Sequence, residues 1–331
     1  MPLSTTQPVP TARNDQAREL RVMIARRASS APVASRSTRR CKTVVIAGSK
    51  GGTGKSVVAL NLALALGNSP ASVGLLDSSG TGSLSLLCGQ NGYWNLDHVA
   101  AGIRTVEEVT LSLNSNVTIL PGVNHLLTSP VANSTWRSLD EFEQQHDWFV
   151  IDTGSDLDQT TQFARTADAT FIVTTPEPTS VAEAYSAMKC LCARGVTAIS
   201  VLVNQVDSED QALLIMDRLR HAAKAFLSSD IGLAGIVPVD PEVTQSVFRR
   251  TPLIADDTAE SMPSQARQAI QSLAGRVMRV VTTDRDASCM ESLRNALNGN
   301  IDLAELEQTS RLSGTISKIG PVGISRRNKV N

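Results

Sequence analysis

A glycine-rich loop with two lysines is the segment of this chain best suited to chemistry. Residues 48 to 56 read Gly-Ser-Lys-Gly-Gly-Thr-Gly-Lys-Ser and follow the apolar, β-branched run 43–47. Glycines let successive backbone N–H groups turn toward one anion, and the helix that follows adds partial positive charge at its N-terminus. In a phosphate-binding loop of this pattern, Lys55 contacts the β- and γ-phosphates and Ser56 binds Mg²⁺. The sequence therefore predicts a nucleotide site and not a simple turn between strand and helix.

The additional lysine, Lys50, narrows the class of nucleotide site. The pattern Lys-Gly-Gly-x-Gly-Lys-Ser resembles the deviant Walker A loop of the MinD/ParA ATPases, which act as nucleotide-dependent dimers. In that family the lysine matching Lys50 reaches the partner's ATP across the dimer interface. Ser49 stands where an ordinary loop has glycine, and ParA-type loops lack that glycine as well. The resemblance implies an ATP-dependent homodimer with ATP and Mg²⁺ as cofactors, and it makes Lys50 a catalytic candidate.

Alternating strand and helix patterns predict the elements that position this loop. Seven near-continuous apolar runs are typical of strands buried on both faces, and helical stretches such as 178–192 and 210–227 separate most of them. Repeated β-α units predict an α/β fold, a mostly parallel, doubly wound P-loop NTPase sheet with helices on both faces. The predicted strands are 43–48, 72–77, 117–121, 148–152, 169–174, 198–204 and 233–238.

Two carboxylates stand at the ends of predicted strands. Ligands of such sheets bind at the carboxyl ends of the strands, so Asp77 and Asp152 could hold Mg²⁺ directly or through water. A carboxylate at such a position can also cap a helix, and both interpretations stay open. By resemblance, the segment 152–154, Asp-Thr-Gly, is the Walker B and switch segment. Asp152 is therefore a catalytic candidate, while Ser56 and Asp77 are the candidates for binding the metal.

Nucleotide contacts are expected from the loop and from two later strand ends. The Asn204 amide carries a donor and an acceptor that suit the edge of adenine, although an Asn turn at a strand end is the alternative. In the family the matching Asn binds adenine, and residues after the last strand help enclose the base. The expected nucleotide-binding residues are Gly51, Gly52, Thr53, Gly54, Lys55, Ser56, Val57, Asn204 and Pro238.

One position departs from the family in a way that affects chemistry. MinD-type sequences usually read Asp-Ala-Asp where this chain reads Asp77-Ser78-Ser79. Ser79 thus replaces the aspartate that acts on the attacking water. A serine cannot polarise that water with a negative charge. The sequence therefore predicts ATP binding with slow or absent hydrolysis.

Two segments resemble one branch of the family, the FlhG (FleN/YlxH) regulators of flagellar number and placement. Residues 174–180, Thr-Thr-Pro-Glu-Pro-Thr-Ser, match its Thr-Pro-Glu-Pro-Thr-Ser segment. Residues 15–21, Asp-Gln-Ala-Arg-Glu-Leu-Arg, match its N-terminal motif, a short helix that activates an FlhF-type signal-recognition GTPase. The alternative is a basic, disordered tail or an organelle-targeting sequence. The residues assigned to this partner are Asp15, Gln16, Ala17, Leu20 and Arg21.

Length and composition bound the remaining possibilities. The chain has 331 residues, is 41% hydrophobic and carries a net charge of -1, so it can bury a large core and its charge favours no particular partner. No apolar run approaches the ~20 residues of a membrane span, and no signal peptide is visible, which predicts a cytoplasmic protein. We divide it into a flexible basic tail with the partner-activating helix (1–41), a MinD-like ATPase domain (42–281) and a C-terminal helix and tail (282–331).

The C-terminal region and the cysteines leave some alternatives open and disfavour others. Family members carry a C-terminal amphipathic helix that binds membrane, which keeps a peripheral membrane location open for this chain. Gly320 and Pro321 interrupt the apolar positions here, so the tail supplies such a helix poorly. The expected partners are a second copy, the FlhF-type GTPase and flagellar switch components, with no specific nucleic acid. A hydrolysis-deficient nucleotide-binding scaffold and a partitioning or division ATPase are the alternatives. An iron–sulfur relative is disfavoured because no cysteine pair suits a bridging cluster.

Overall fold

A single eight-stranded sheet organises the part of the chain that the structure describes. The structure is a computed structural model, and it describes residues 40–48, 50–80, 82–90, 92–122, 132–227, 229–255, 264–283 and 285–298. The strands are β1 (Lys42–Ala47), β2 (Val73–Ser78), β3 (Leu111–Ser112), β4 (Val117–Leu120), β5 (Trp148–Thr153), β6 (Ala169–Thr174), β7 (Ile199–Val206) and β8 (Gly232–Pro238).

Helices connect most of these strands. The helices are α1 (Lys55–Gly67), α2 (Ser83–Leu87), α3 (Leu96–Ala100), α4 (Val106–Val109), α5 (Asn133–Gln144), α6 (Leu157–Thr166), α7 (Pro178–Ala193), α8 (Glu209–Phe226), α9 (Pro241–Arg249), α10 (Gln265–Val280) and α11 (Cys289–Asn298), with a 3₁₀ turn at Leu253–Ala255. No helix among the described residues is both long enough and apolar enough to cross a membrane.

The sheet order is β3-β4-β2-β5-β1-β6-β7-β8, and only the β3–β4 pair is antiparallel. Because every other pair is parallel, the carboxyl ends of seven strands meet at one edge of the sheet. The predicted α/β fold is therefore confirmed. The seven predicted strands are present with ends within two residues of those expected, and the two-residue edge strand β3 was missed.

The central strand β1 explains why both faces of the sheet are covered. Successive side chains of a strand point to opposite faces. Val44 and Ile46 pack in a core that includes α1 and α10, whereas Val45 and Ala47 pack in a second core with α5, α6, α7, α8 and α11. A strand with apolar residues at every position therefore requires a helix layer on each side, and the alternating β-α sequence supplies both.

A buried polar network joins the C-terminal helix α11 to this body. The Glu143 side chain of α5 is fully buried, and its carboxylate accepts the backbone N–H groups of Cys289 (2.8 Å) and Met290 (2.7 Å). Burial raises the pKa of Glu143, and the two backbone donors oppose that rise. Nearby, the Arg285 guanidinium pairs with both oxygens of Asp168 at 2.8 and 2.7 Å. These contacts attach residues 285–298 beside the amino ends of β1 and β6.

Substituting Glu143 tests the importance of this attachment. We expect Glu143→Ala to leave two helix N-terminal N–H groups without their acceptor and to lower the free energy of unfolding by about 2–4 kcal/mol. Glu141→Ala, at an exposed position of the same helix, is the matched control and should change it by less than about 0.5 kcal/mol. Urea denaturation measures both, and equal stability of the two variants would contradict this account.

Candidate functional site

The phosphate loop lies at the carboxyl edge of the sheet, between β1 and α1. Gly52 and Gly54 have φ angles of 82° and 87°, which side-chain-bearing residues rarely adopt. A Cβ on Gly54 would also lie 2.4 Å from the Asn204 Nδ2 atom. The Asn204 amide donates to the Thr53 carbonyl oxygen at 2.8 Å. Glycine at position 54 therefore permits both the turn of the loop and its close contact with β7.

Lys55 is held inside the loop. Its side chain is buried, and its Nζ atom donates to the Lys50 carbonyl oxygen at 2.8 Å. Burial lowers the pKa of Lys55, while the carboxylates of Asp152 and Glu183 oppose that decrease. The ammonium group is thus desolvated by the protein and lies near two carboxylates, as suits a group that binds a phosphate.

Lys50, the lysine that distinguishes the loop, contacts the segment between β6 and α7. Its Nζ atom lies 2.5 Å from Glu177 Oε1 and donates to Thr179 Oγ1 at 2.6 Å. Thr179 Oγ1 in turn donates to Glu177 Oε1 at 2.8 Å. Hydrogen bonds from Lys50 and Thr179 lower the pKa of the exposed Glu177 carboxyl group. The glycine-rich loop and the Thr-Pro-Glu-Pro-Thr-Ser segment therefore meet in one cluster of three side chains, although Lys50 and Glu177 are 127 positions apart in the sequence.

Asp152 is a fully buried carboxylate without an ordinary hydrogen-bond partner. Within the described residues, neither of its oxygens accepts a hydrogen bond of normal geometry, although the Ser56 hydroxyl lies near enough to affect its pKa. Burial raises the pKa of Asp152 to about 7; Asp77 also raises it, while Ser56 and Lys55 lower it. Because the folded chain holds this proton more tightly than the unfolded chain does, folding stability falls as the pH rises from 3.8 to about 7. An unpartnered carboxylate beside a serine hydroxyl suits a divalent cation.

Asp77 lies beside Asp152 but has partners of its own. The two residues are paired in the register of β2 and β5. Asp77 Oδ1 accepts the Ser79 N–H (3.0 Å) and hydroxyl (2.6 Å), and Oδ2 accepts the Leu84 N–H at 3.2 Å. Asp77 thus anchors the turn into α2, and Ser79 belongs to that anchor. Of the two strand-end carboxylates, Asp152 has the oxygens more available to a cation.

The two residues that the sequence predicts to contact the nucleotide base, Asn204 and Pro238, lie on the neighbouring strands β7 and β8. Asn204 is buried and opposite Val237 in the register, and Pro238 is opposite Val206. Gln205 lies at a bulge between them with a φ of 58°, an unusual value for a residue other than glycine. Asn204 contacts the loop at Thr53, and Pro238 ends the neighbouring strand β8. The sequence predicts that the nucleotide base binds at this side of the loop.

The structure brings together most of the residues predicted from the sequence. The loop residues 50–57, together with Asp77, Asp152, Asn204 and Pro238, all lie at the same sheet edge. The predicted partner-binding residues, Asp15, Gln16, Ala17, Leu20 and Arg21, lie outside the described residues. Sequence reasoning missed Glu177, Thr179 and Glu183 as members of the site. The strand-end rule could have identified Glu177 and Thr179, since both follow β6 closely.

The cysteines offer no metal centre in the described part of the chain. All five are free thiols, and Cys190 and Cys192 lie within α7. No group of three or more His, Cys, Asp or Glu side chains among the described residues could hold a metal ion. Any cation at this site would instead depend on the loop serine and the strand-end carboxylates.

Comparison with known proteins agrees with this geometry. Residues 40–278 match a family profile, ParA, described as "NUBPL iron-transfer P-loop NTPase". The antiactivator FleN of Pseudomonas aeruginosa is 28% identical over 71% of this chain and 86% of its own length. The flagellum site-determining protein YlxH of Helicobacter pylori is 27% identical over 57% of this chain and 66% of its own length.

Among solved structures, the septum site-determining protein MinD complexed with Mg-ADP, from Pyrococcus horikoshii, has a similar fold. Its TM-score is 0.57 at 22% identity, over 74% of this chain and all of that chain. This likeness supports the fold, and the family profile covers well over half of the sequence. The chain therefore belongs to the MinD/ParA family of P-loop NTPases, and it resembles the FlhG (FleN/YlxH) members of that family.

Proposed function

We propose that this protein is an ATP-binding dimeric switch that regulates flagellar number or placement. The observation that carries the proposal is the contact of Lys50 with Glu177 and Thr179. It joins the lysine typical of ATP-dependent dimers to the segment that resembles the flagellar branch. The similarity to the proteins named FleN and YlxH supports the same assignment.

The geometry suggests how a triphosphate would act on the loop. Lys55 Nζ donates to a carbonyl oxygen of its own loop, and Lys50 Nζ is paired with the exposed Glu177. A nucleotide phosphate carries more negative charge than either oxygen and can compete for both ammonium groups. Release of Lys50 from Glu177 would let this lysine reach a second copy of the chain. ATP binding and dimerisation are thus linked through one side chain.

Mg²⁺ fits the unpartnered carboxylate of Asp152 together with the Ser56 hydroxyl, and Asp77 lies alongside. A bound cation would supply positive charge that offsets the negative charge of the phosphates. Asp152 would hold it through oxygens that accept no other hydrogen bond of normal geometry from the described residues. Ser79, bound to Asp77, leaves the attacking water without the usual aspartate. We therefore propose slow hydrolysis and a long-lived ATP-bound state.

The partner and the location rest on segments outside the described residues. By resemblance, residues 15–21 would activate an FlhF-type GTPase, and residues 300–331 would make any membrane contact. Deleting residues 1–30 should abolish GTPase stimulation while ATP affinity is unchanged. Stimulation that survives the deletion would refute this partner assignment.

A septum- or partition-type ATPase is the second candidate function. The putative septum site-determining protein MinD of Emiliania huxleyi is 29% identical to this chain, which is close to the value for FleN. The Thr-Pro-Glu-Pro-Thr-Ser segment around Glu177 favours the flagellar assignment. Gene deletion followed by counting flagella and measuring cell length would separate the two, since a division ATPase would alter cell length.

Turnover of ATP tests the role of Ser79. We expect the parent protein to bind Mg-ATP but hydrolyse it slowly, and Ser79→Asp to raise kcat by at least about tenfold because it restores a charge near the water. Ser79→Asn, similar in size but uncharged, is the control and should not raise kcat. Phosphate release measures all three. A parent rate equal to that of active MinD-type enzymes, unchanged by Ser79→Asp, would contradict the prediction.

The pKa of Asp152 predicts how cation binding depends on pH. Mg²⁺ binds the ionised carboxylate, and the pKa of Asp152 is about 7 before a cation binds. Raising the pH from 6 to 8 should therefore strengthen Mg-nucleotide binding about tenfold. Titration calorimetry at several pH values measures this change. Asp152→Asn should bind more weakly and lack this pH dependence, and a parent profile identical to that of the variant would argue against the assignment.

A further inference from the structure

Among the described residues, Gln205 and Arg250 are the only ones other than glycine that have a positive φ, of 58° and 53°. Both are exposed. Arg250 is the residue that ends α9, a position where the left-handed conformation is common. Gln205 lies inside strand β7, where the backbone is normally extended. Holding a glutamine in this conformation costs free energy, which makes its side chain a candidate for a functional role.

The bulge at Gln205 changes the side of β7 to which its side chain is directed. Alternate residues of a regular strand share one face, yet Val201, Val203 and Val206 all pack in the same core. The alternation is therefore shifted by one residue, and Gln205 is the extra residue in the pairing with β8. Gln205 thus avoids the core face and can point to the same side as Asn204.

The amides of Asn204 and Gln205 both reach the phosphate loop. A Cβ on Gly54 would lie 2.4 Å from Asn204 Nδ2 and 3.9 Å from Gln205 Nε2. Asn204 Nδ2 donates to the Thr53 carbonyl oxygen at 2.8 Å. Gln205 Nε2 donates to the Gly52 carbonyl oxygen at 3.5 Å, a long hydrogen bond. Two successive carbonyl groups of the loop therefore face β7.

The direction of these carbonyl groups fixes the direction of the next two N–H groups. All described peptide bonds are trans, and in a trans peptide unit the C=O and the following N–H point in opposite directions. The N–H groups of Thr53 and Gly54 therefore point away from β7. Backbone N–H groups of glycine-rich loops are the donors that hold phosphate. Amides that bind the carbonyl oxygens from outside thus prepare these donors for an anion.

We propose that Gln205 is a positioning residue of the phosphate loop, whose amide holds the Gly52 carbonyl toward β7 so that the N–H groups face the phosphates. This proposal rests on the proposed ATP-binding function. Gly52 has a φ of 82°, and a Cβ there would meet no atom within 4 Å, so side-chain packing does little to fix this turn. Without the amide, nucleotide binding would bear more of the cost of ordering the loop.

Substitution of Gln205 by glycine separates this role from a structural one. Gln205→Gly removes the amide and also relieves the positive φ, so it should weaken phosphate binding while the melting temperature holds or rises. Arg250→Gly relieves a similar φ at the end of α9 and is the matched control. Titration calorimetry on the full chain, with Mg²⁺, measures binding of a non-hydrolysable ATP analogue and of inorganic tripolyphosphate, which has no base.

The two ligands should report the same change. We expect Gln205→Gly to raise both dissociation constants about fivefold, as the loss of one hydrogen bond does. Arg250→Gly should change neither constant by more than about twofold. A residue that contacts the base would instead affect the ATP analogue alone.

Several outcomes would overturn the proposal. Dissociation constants of Gln205→Gly equal to those of the parent would exclude a role in positioning the loop, and a loss confined to the ATP analogue would make Gln205 a base contact. A loss that accompanies a lower melting temperature, or that Arg250→Gly shares, would make the effect structural. A parent that binds the analogue but not tripolyphosphate would contradict a loop prepared for phosphate. Failure of the parent to bind the analogue would instead refute the proposed ATP-binding function.

Discussion

The ammonium groups of Lys50 and Lys55 lie in one short loop, and oxygen atoms from other elements must balance their charge. Lys55 is bound by a carbonyl oxygen within the loop and influenced by Asp152 and Glu183, while Lys50 is bound by Glu177 and Thr179. These partners come from β5, α7 and the segment before it. The parallel sheet is what brings them together, because its strands end at one edge. The site therefore depends on a charge balance that the fold arranges.

The central strands and the loop could be predicted from the sequence because their signals are local. Apolar runs such as 148–152 are long enough to indicate buried strands, and the glycine pattern of 48–56 is specific by itself. The strand-end rule then predicts that Asp77, Asp152 and Asn204 lie near the loop. By contrast, β3 has two residues and carries no periodicity to recognise.

Contacts between distant segments could not be predicted in the same way. The pairing of Lys50 with Glu177 depends on the exact positions of β1 and β6 as neighbours in the sheet, which the sequence does not specify. The same holds for Glu143. Its place in the sequence is typical of an acid on a helix surface, but its carboxylate accepts hydrogen bonds from backbone N–H groups at the N-terminus of α11. The sequence predicts slow hydrolysis from Ser79, whereas the hydrogen bond from the Ser79 hydroxyl to Asp77 appears only in three dimensions.

The central claim is that Lys50 couples ATP binding to dimerisation. Light scattering after size-exclusion chromatography, with and without a non-hydrolysable Mg-ATP analogue, tests it most directly. The parent should change from monomer to dimer with the analogue, and Lys50→Ala should bind the analogue but stay monomeric, because the lysine cannot reach the second copy. A Lys50→Ala protein that dimerises with the analogue as readily as the parent would contradict the account.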